Sequence, residues 1–263
     1  MAAVVALEAA ADIAHARAAE VLGIFVEEVN LLRSAGYAFA REVGASSGRA
    51  RPLDLPMIEA RMRALTEQAR RSLEATMDRR GIPRSLKLCR GQVVSEVLGL
   101  AQPDDLLILG RVGWYGPPGA RLGSTARSLL RQAPGDVLVW TQPRQRPQSR
   151  VAVLLNHDRN ANQRALRLSL ELALRHHQPL TVLIPAGAED DPPSTGELLS
   201  VLQQEGIPAR VRLIPSGSAA VISRALQAEG ASQLVVSRES GLWNAPGADT
   251  MLQQLNLPLT VTR

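Results

Sequence analysis

Gly110-Arg-Val-Gly113-Trp-Tyr-Gly-Pro-Pro-Gly-Ala-Arg-Leu-Gly123-Ser124-Thr125 is the stretch from which the rest of the chain can be read. Ahead of it, Leu106 to Leu109 is an apolar run of strand length. Behind it, Thr125 to Gln132 has helical periodicity and Val137 to Trp140 is apolar again. A strand, a glycine-rich connection, a helix and a second strand form the unit from which parallel sheets are wound, because parallel neighbours need a crossover. Glycine at a strand's end lets backbone amides approach a bulky anion with no Cβ in the way. Gly123-Ser124 sits where the unpaired amides and the dipole of a helix N-terminus favour a phosphate. Ser124 and Thr125 offer hydroxyl donors there, and Arg111 and Arg121 offer guanidinium groups to phosphate oxygens. The plainer reading of the same residues is a glycine- and proline-rich connection with Ser124 as a helix N-cap.

Moving outward, the unit recurs. Leu129-Leu-Arg-Gln-Ala-Pro-Gly-Asp-Val-Leu-Val139 aligns without gaps on Met251-Leu-Gln-Gln-Leu-Asn-Leu-Pro-Leu-Thr-Val261. Asp105-Leu-Leu-Ile-Leu-Gly110 aligns on Ser232-Gln-Leu-Val-Val-Ser237, and the loop between the two aligned blocks is five residues shorter in the second copy. Between the copies, Thr141-Gln-Pro-Arg-Gln-Arg-Pro-Gln-Ser-Arg150 has no acid and no large apolar residue, and reads as an exposed linker. The domains are therefore drawn at residues 1–141 and 150–263.

In the second copy, strands are expected at Val151 to Asn156, Leu180 to Ile184, Ala209 to Ile214, Gln233 to Val236 and Leu257 to Thr262. Helices are expected at Asn162 to His177, Glu197 to Gln204, Ala219 to Gln227 and Ala248 to Gln254. The first copy reads as helix at Ala2 to Ala18, Met57 to Met77, Val93 to Leu100 and Thr125 to Gln132. Its strands fall at Val21 to Val26, Ser85 to Cys89, Leu106 to Leu109 and Val137 to Trp140. Ile58, Met62, Leu65 and Ala69 stripe one face of the long helix. Asn30 to Leu53 lacks periodicity and is expected to be a long loop, with at most a helical turn. The fold class that follows is α/β: two tandem doubly wound parallel-sheet domains, Rossmann-like with strand order 3-2-1-4-5. The first is incomplete at its N-terminus, because Met1 to Leu7 runs into Glu8-Ala-Ala-Ala as helix where the second copy begins with a strand.

Composition excludes several classes. The 263 residues are 45% apolar and 21% charged, with mean hydropathy −0.03, which is neither disordered, fibrous nor multi-span. Cys89 is the only cysteine, so there is no intramolecular disulfide and no cysteine-cluster metal site. The pI of 10.5 suggests nucleic acid, but the net charge is only +5. Lys87 is the sole lysine, and arginine, which does not deprotonate, raises pI from a modest excess. Few aromatic residues are available to stack on bases, so a nucleic-acid partner is not expected. No basic n-region precedes an apolar run and no uncharged span is present, so a cytoplasmic location without a membrane partner is expected.

The spacing G-x2-G-x9-G-[ST] resembles that of the universal stress proteins, of the adenine nucleotide alpha-hydrolase-like superfamily. Gly110, Gly113, Gly123 and Ser124 match the motif position by position, and Ala126 to Val139 resembles the family's ending. The order of elements is similar over nearly the whole chain. The resemblance implies a tandem universal stress protein whose first copy binds ATP, accompanied by Mg²⁺. The residues concerned are Gly110, Arg111, Gly113, Arg121, Gly123, Ser124 and Thr125. It implies a regulatory role in stress response, pairing of the copies through Val137 to Trp140 and Leu259 to Thr262, and a possible homodimer. In the family the first strand ends in an acidic residue that touches the nucleotide. The first copy here has no such strand, and the second has Asn156 at that place. The second copy's loop, Ser237-Arg-Glu-Ser240-Gly-Leu-Trp-Asn-Ala-Pro246-Gly247, has serine at both early glycine positions and Pro246 opposite Ser124. It is not expected to cradle a triphosphate.

No serine–histidine–acid set, carboxylate pair or H-E-x-x-H appears, so no catalytic or metal-binding residues are assigned. His157 and Asp158 read as turn residues capping the next helix. His176 and His177 are adjacent and diverge on a helix, and His15 reads as partly exposed. Cys89 is expected to be buried, and Glu27 and Glu28 to form a solvated strand end. The alternative to nucleotide binding is a structural or interaction protein of the same fold. An enzyme cleaving at the nucleotide α-phosphate is a third reading, for which no base is visible.

Overall fold

The computed structural model describes residues 2–37, 39–44, 47–110, 122–141, 149–186, 202 and 206–263. They fall into two compact units: residues 7–100, and residues 101–263 together with 1–6.

The unit of residues 7–100 is built on two parallel strands. Its elements are α1 (Ala2–Arg17), β1 (Val21–Glu28), α2 (Val29–Ala35), β2 (Arg41–Val43), β3 (Ala50–Pro52), α3 (Leu55–Asp78), β4 (Arg84–Gly91) and α4 (Val93–Leu98). Proline in the first turn of α3 suits a position whose N–H would be unpaired anyway. Ile58, Met62, Leu73 and Met77 are buried along its inner face. A Cβ on Gly23 of β1 would stand 2.8 Å from Leu73 Cδ2 and 3.1 Å from Leu86 Cδ1, so glycine here admits the side chain of α3. At the far end of α3, Arg79 and Arg80 donate to Glu8 at 2.6 and 2.7 Å, and Arg80 donates to Asp12 at 2.8 Å. The Arg80 hydrogen bond pulls the Glu8 carboxyl below its ordinary value, against some desolvation and with help from Arg79. A depressed carboxylate stabilises the fold above its unfolded titration range, and that contribution fades as pH falls through the folded one.

The stretch Asn30 to Leu53, expected as a loop, contains α2 and an antiparallel pair, with Arg41, Glu42 and Val43 facing Pro52, Arg51 and Ala50. Two helical turns and three-residue strands are too short to print a period on the sequence. Glu28, at the end of β1, also caps α2, its carboxylate accepting from Asn30 N.

The second unit contains β5 (Leu106–Gly110), α5 (Ser124–Gln132), β6 (Asp136–Trp140), β7 (Arg150–Leu154), α6 (Arg159–His176), β8 (Leu180–Pro185) and β9 (Ala209–Ile214). It continues with α7 (Ala219–Ala228), β10 (Ala231–Ser237), a 3₁₀ turn (Gly241–Asn244), α8 (Ala248–Gln254) and β11 (Leu259–Thr262). The linker core, residues 142–148, and most of the expected helix Glu197 to Gln204 lie outside the described residues. Seven strands form one sheet in the order β5-β6-β11-β10-β7-β8-β9. From β7 to β11 this is the doubly wound 3-2-1-4-5 order with every pairing parallel. Val151, Ala152, Val153 and Leu154 are buried at consecutive positions, as are Leu180, Thr181, Val182 and Leu183, which fits strands covered on both faces.

The two copies meet edge to edge. β6 and β11 pair antiparallel, with Val139 facing Leu259, Leu138 facing Thr260 and Val137 facing Val261. Leu138 and Thr260 are the residues that the repeat alignment equates, so a local two-fold axis runs between them, the geometry of a self-complementary interface. Arg127 and Asp249 are equated by the same alignment, and they too pair, at 3.6 Å. Arg238 completes the join by donating to Leu130 O at 3.1 Å and Gly135 O at 2.8 Å, and its burial pushes the guanidinium below its ordinary value.

In chain order β1 and β4 correspond to β8 and β9 of the second copy, and β5 and β6 correspond to β10 and β11. In the complete copy only β7 bonds to both halves, and among the described residues the first copy has no counterpart of β7. Its strands accordingly form two separate pairs, β1–β4 and β5–β6. The line of the repeat and the line of compactness therefore differ, because β5 and β6 take their sheet partner from the second copy.

Gly135, in the turn before β6, is required by space. A Cβ there would overlap the Asp105 carbonyl and stand 2.9 and 3.0 Å from those of Gln102 and Pro103. Backbone cannot swing aside as a side chain can. Gly135→Ala is expected to cost about 1–3 kcal/mol of stability, read as a lower denaturant midpoint at unchanged slope.

Candidate functional site

Gly110 ends β5 beside Trp140 of β6, so the connection to α5 leaves from the C-terminal edge of a parallel pair. That edge is where open α/β sheets place their ligands. The connection returns at Leu122, which is buried and anchors the helix start together with Ala126, Leu129 and Leu130. Gly123, rather than Ser124, is the N-cap. Its φ of −67° and ψ of 159° are extended, and no side chain caps α5. The first helical bond runs from Arg127 N to Gly123 O at 3.1 Å. Ser124 and Thr125 are exposed. A Cβ on Gly123 would meet nothing within 4 Å. Neither dihedral strain nor packing therefore demands glycine here. What it leaves is open space in front of amides that a helix cannot satisfy itself. Arg111, Gly113 and Arg121 lie outside the described residues.

The second copy is built differently at the matching place. Beyond β10, Ser240 Oγ accepts from Leu242 N and sets the 3₁₀ turn, which buries Leu242 and Trp243. The indole N–H of Trp243 donates to Ser237 O at 2.9 Å, so the ring lies against the strand end where the first copy has Gly110. At the end of β7, Asn156 and Asn162 bond reciprocally: Asn156 N donates to Asn162 Oδ1 at 2.9 Å and Asn162 Nδ2 to Asn156 O at 2.7 Å. Asn156 Oδ1 then accepts from Asp158 N, and Asp158 caps α6 through Ala161 N. Asp158 is thus the capping residue expected, and His157 stands exposed beside it. The short polar residues that made this loop look degenerate were legible in the sequence. That an aromatic ring fills the strand end was not, since nothing in the spacing distinguishes Trp243 from a surface residue.

In the unit of residues 7–100, a small cavity of about 110 Å³ opens at the C-terminal ends of β1 and β4. Its lining includes Glu27, Glu59, Arg63 and Arg90, with Leu32 and Met62 at its base. Glu27 is paired with Arg90 at 3.3 Å, which corrects the expectation of a merely solvated side chain. The volume falls well below the roughly 300–1,000 Å³ of ordinary small-molecule sites. Cys89, expected to be buried, is half-buried, because β4 has a neighbouring strand on one side only. No group of three histidine, cysteine or acidic side chains able to hold a metal occurs among the described residues. No described helix is long and apolar enough to cross a membrane.

The fold has solved counterparts. A universal stress protein from Archaeoglobus fulgidus DSM 4304 superposes with a TM-score of 0.64 at 15% identity, covering 98% of this chain and 90% of that one. The chain has the universal stress protein fold. A functionally unknown protein from Pseudomonas aeruginosa PAO1 also matches, with a TM-score of 0.52 at 14% identity over 97% of this chain and 86% of its own. No family model and no curated protein matches the sequence. The universal stress protein fold thus persists here through topology and core pattern, at an identity that conveys architecture and nothing about ligands.

Proposed function

We propose that the chain is a regulatory protein that binds ATP or a related adenine nucleotide through its first copy, with the phosphates on the N-terminal turn of α5. The observation that carries this is the uncapped helix start behind Gly123, open to solvent and placed at the C-terminal edge of β5 and β6. Backbone amides, the helix dipole and the Ser124 and Thr125 hydroxyls suit anionic oxygens. Gly110, Arg111, Gly113 and Arg121 belong to the same connection and complete the proposed contact set. Mg²⁺ would arrive on the phosphates, as it commonly binds through substrate oxygens and water. The proposed setting is a cytoplasmic stress response, with dimerisation through surfaces other than β6 and β11.

The test is a thermal-shift titration with Mg-ATP. Ligand at a hundred times Kd adds about 2.7 kcal/mol to stability, so wild type should show a saturable rise in Tm. Gly123→Asp, which puts a side chain and a negative charge in the open space, should abolish it. A wild-type shift retained by Gly123→Asp places the ligand elsewhere. Absence of any shift at millimolar Mg-ATP overturns the reading. It would favour a structural or interaction role, which the joining of β5 and β6 to the second copy's sheet also supports.

A further inference from the structure

The chain holds few aromatic residues, and two of its exposed ones stand together. Tyr37 and Phe39 stack with ring centroids 5.3 Å apart, and they are 57% and 81% exposed. Val43 on β2 is 65% exposed, and Leu55 and Met57 project from the first turn of α3. Leu55 and Met57 are two positions apart on a helix and so diverge, whereas Tyr37, Phe39 and Val43 fall within one short stretch leading into and along β2. Leu53 N donates to Ala40 O at 3.0 Å, closing the hairpin base against the start of α3. Glu42 on β2 pairs with Arg51 on β3 and reaches Arg61 of α3 at 3.6 Å.

The same segment is strongly basic. Between Leu32 and Leu65 there are six arginines against three acids. Glu42 is engaged by Arg51 and Arg61 and Asp54 stands exposed before α3, whereas Arg33, Arg41 and Arg49 are exposed and no acidic partner is described for them. Exposed apolar side chains flanked along the chain by exposed guanidiniums are complementary to a surface with an apolar interior and anionic heads. We propose that the β2–β3 hairpin and the aromatic pair that leads into it dock on anionic lipid bilayers. Tyr37, Phe39 and Val43 enter the headgroup region while Arg33, Arg41 and Arg49 meet lipid phosphates. Such association needs no spanning helix. Single-stranded nucleic acid fits less well, since the two rings already cover one face of each other and aliphatic side chains offer bases no stacking platform. A second copy of the chain would bring like charges together.

The experiment is co-sedimentation of the full chain with phosphatidylcholine vesicles carrying phosphatidylglycerol at zero, low and high fractions. Binding should rise with the anionic fraction and fall as salt is added. Arg41→Ala with Arg49→Ala should weaken partitioning about 30-fold, at roughly a factor of 5 for each arginine near the surface. Phe39→Ser with Val43→Ser should weaken it at least about tenfold. Both variants alter exposed side chains, so Tm should stay within about 2 °C of wild type, which separates lost docking from lost folding. Equal binding to neutral and anionic vesicles, or none to either, overturns the proposal. So does tight binding of a single-stranded oligonucleotide that displaces the vesicles and is lost in the same variants.

Discussion

Replacing Glu229 by glutamine is expected to lower the unfolding free energy of the large sheet by about 3 kcal/mol, the lower part of the range for breaking a buried ion pair. Glu229 caps the C-terminus of α7, the helix end whose dipole repels a carboxylate, and its side chain is only 7% exposed. Three arginines hold it there. Arg212 lies at 2.9 Å, Arg210 at 3.4 Å and Arg150 at 4.0 Å, and Thr181 Oγ1 donates at 3.2 Å. Arg150 is the sensitive partner. Burial and the neighbouring Arg210 push its guanidinium below its ordinary value, and Glu229 opposes them. Without that carboxylate a nearly buried cation has no counter-charge, whereas Arg210 and Arg212 can turn to water. The loss should appear as a lower denaturant midpoint. Adding Arg150→Met should recover part of it, because the stranded charge is then removed. A double variant less stable than the sum of its parts would show that the hydrogen bonds of Arg150 to Leu180 O and Thr181 Oγ1 matter more than its charge.

Trp243→Ala is expected to cost about 3–5 kcal/mol, as large aromatic deletions in cores do. The ring is buried beside Leu242, its N–H satisfies Ser237 O, and its own carbonyl accepts from Arg131 Nη2 at 3.3 Å. Deleting it leaves a cavity at the end of β10, loses a buried hydrogen bond and loosens the contact between the two copies. The nucleotide response should nonetheless persist, because the proposed phosphate site lies at the end of β5 and not at the end of β10. Measuring Tm with and without Mg-ATP in this variant checks both statements. A lowered Tm with an unchanged shift is the expected pair of results. A shift lost together with stability would mean that the second copy's strand end takes part in binding.

Alternating apolar runs and helical periods were sufficient to locate nearly every long element, because a strand covered on both faces or a helix with one buried stripe must print its period on the residues. The gap-free match of Leu129–Val139 with Met251–Val261 likewise contains the symmetry of the join: the pairing of Leu138 with Thr260 follows once each last strand seeks a partner edge. Gly123 and the exposed Ser124 and Thr125 are also visible as a helix start, with Gly123 rather than Ser124 as the cap. Short elements escaped, as α2 and the β2–β3 hairpin show, because their stability comes from contacts with α3 rather than from their own pattern.

Other properties arise only when distant residues are brought together. Glu229 gathers arginines from β7 and β9, Trp243 turns back on its own strand end, and Arg238 reaches carbonyls more than a hundred positions away. No local period encodes such contacts, since each depends on the crossover connections that set strand order. The glycine-rich stretch from Gly110 to Thr125 belongs to both kinds. Its residues alone determined that a strand would be followed by a glycine-rich connection and a helix starting at Gly123. Only the tertiary structure decided that β5 and β6 belong to a sheet shared with the second copy, because an unpaired strand edge is satisfied by whichever partner the fold presents.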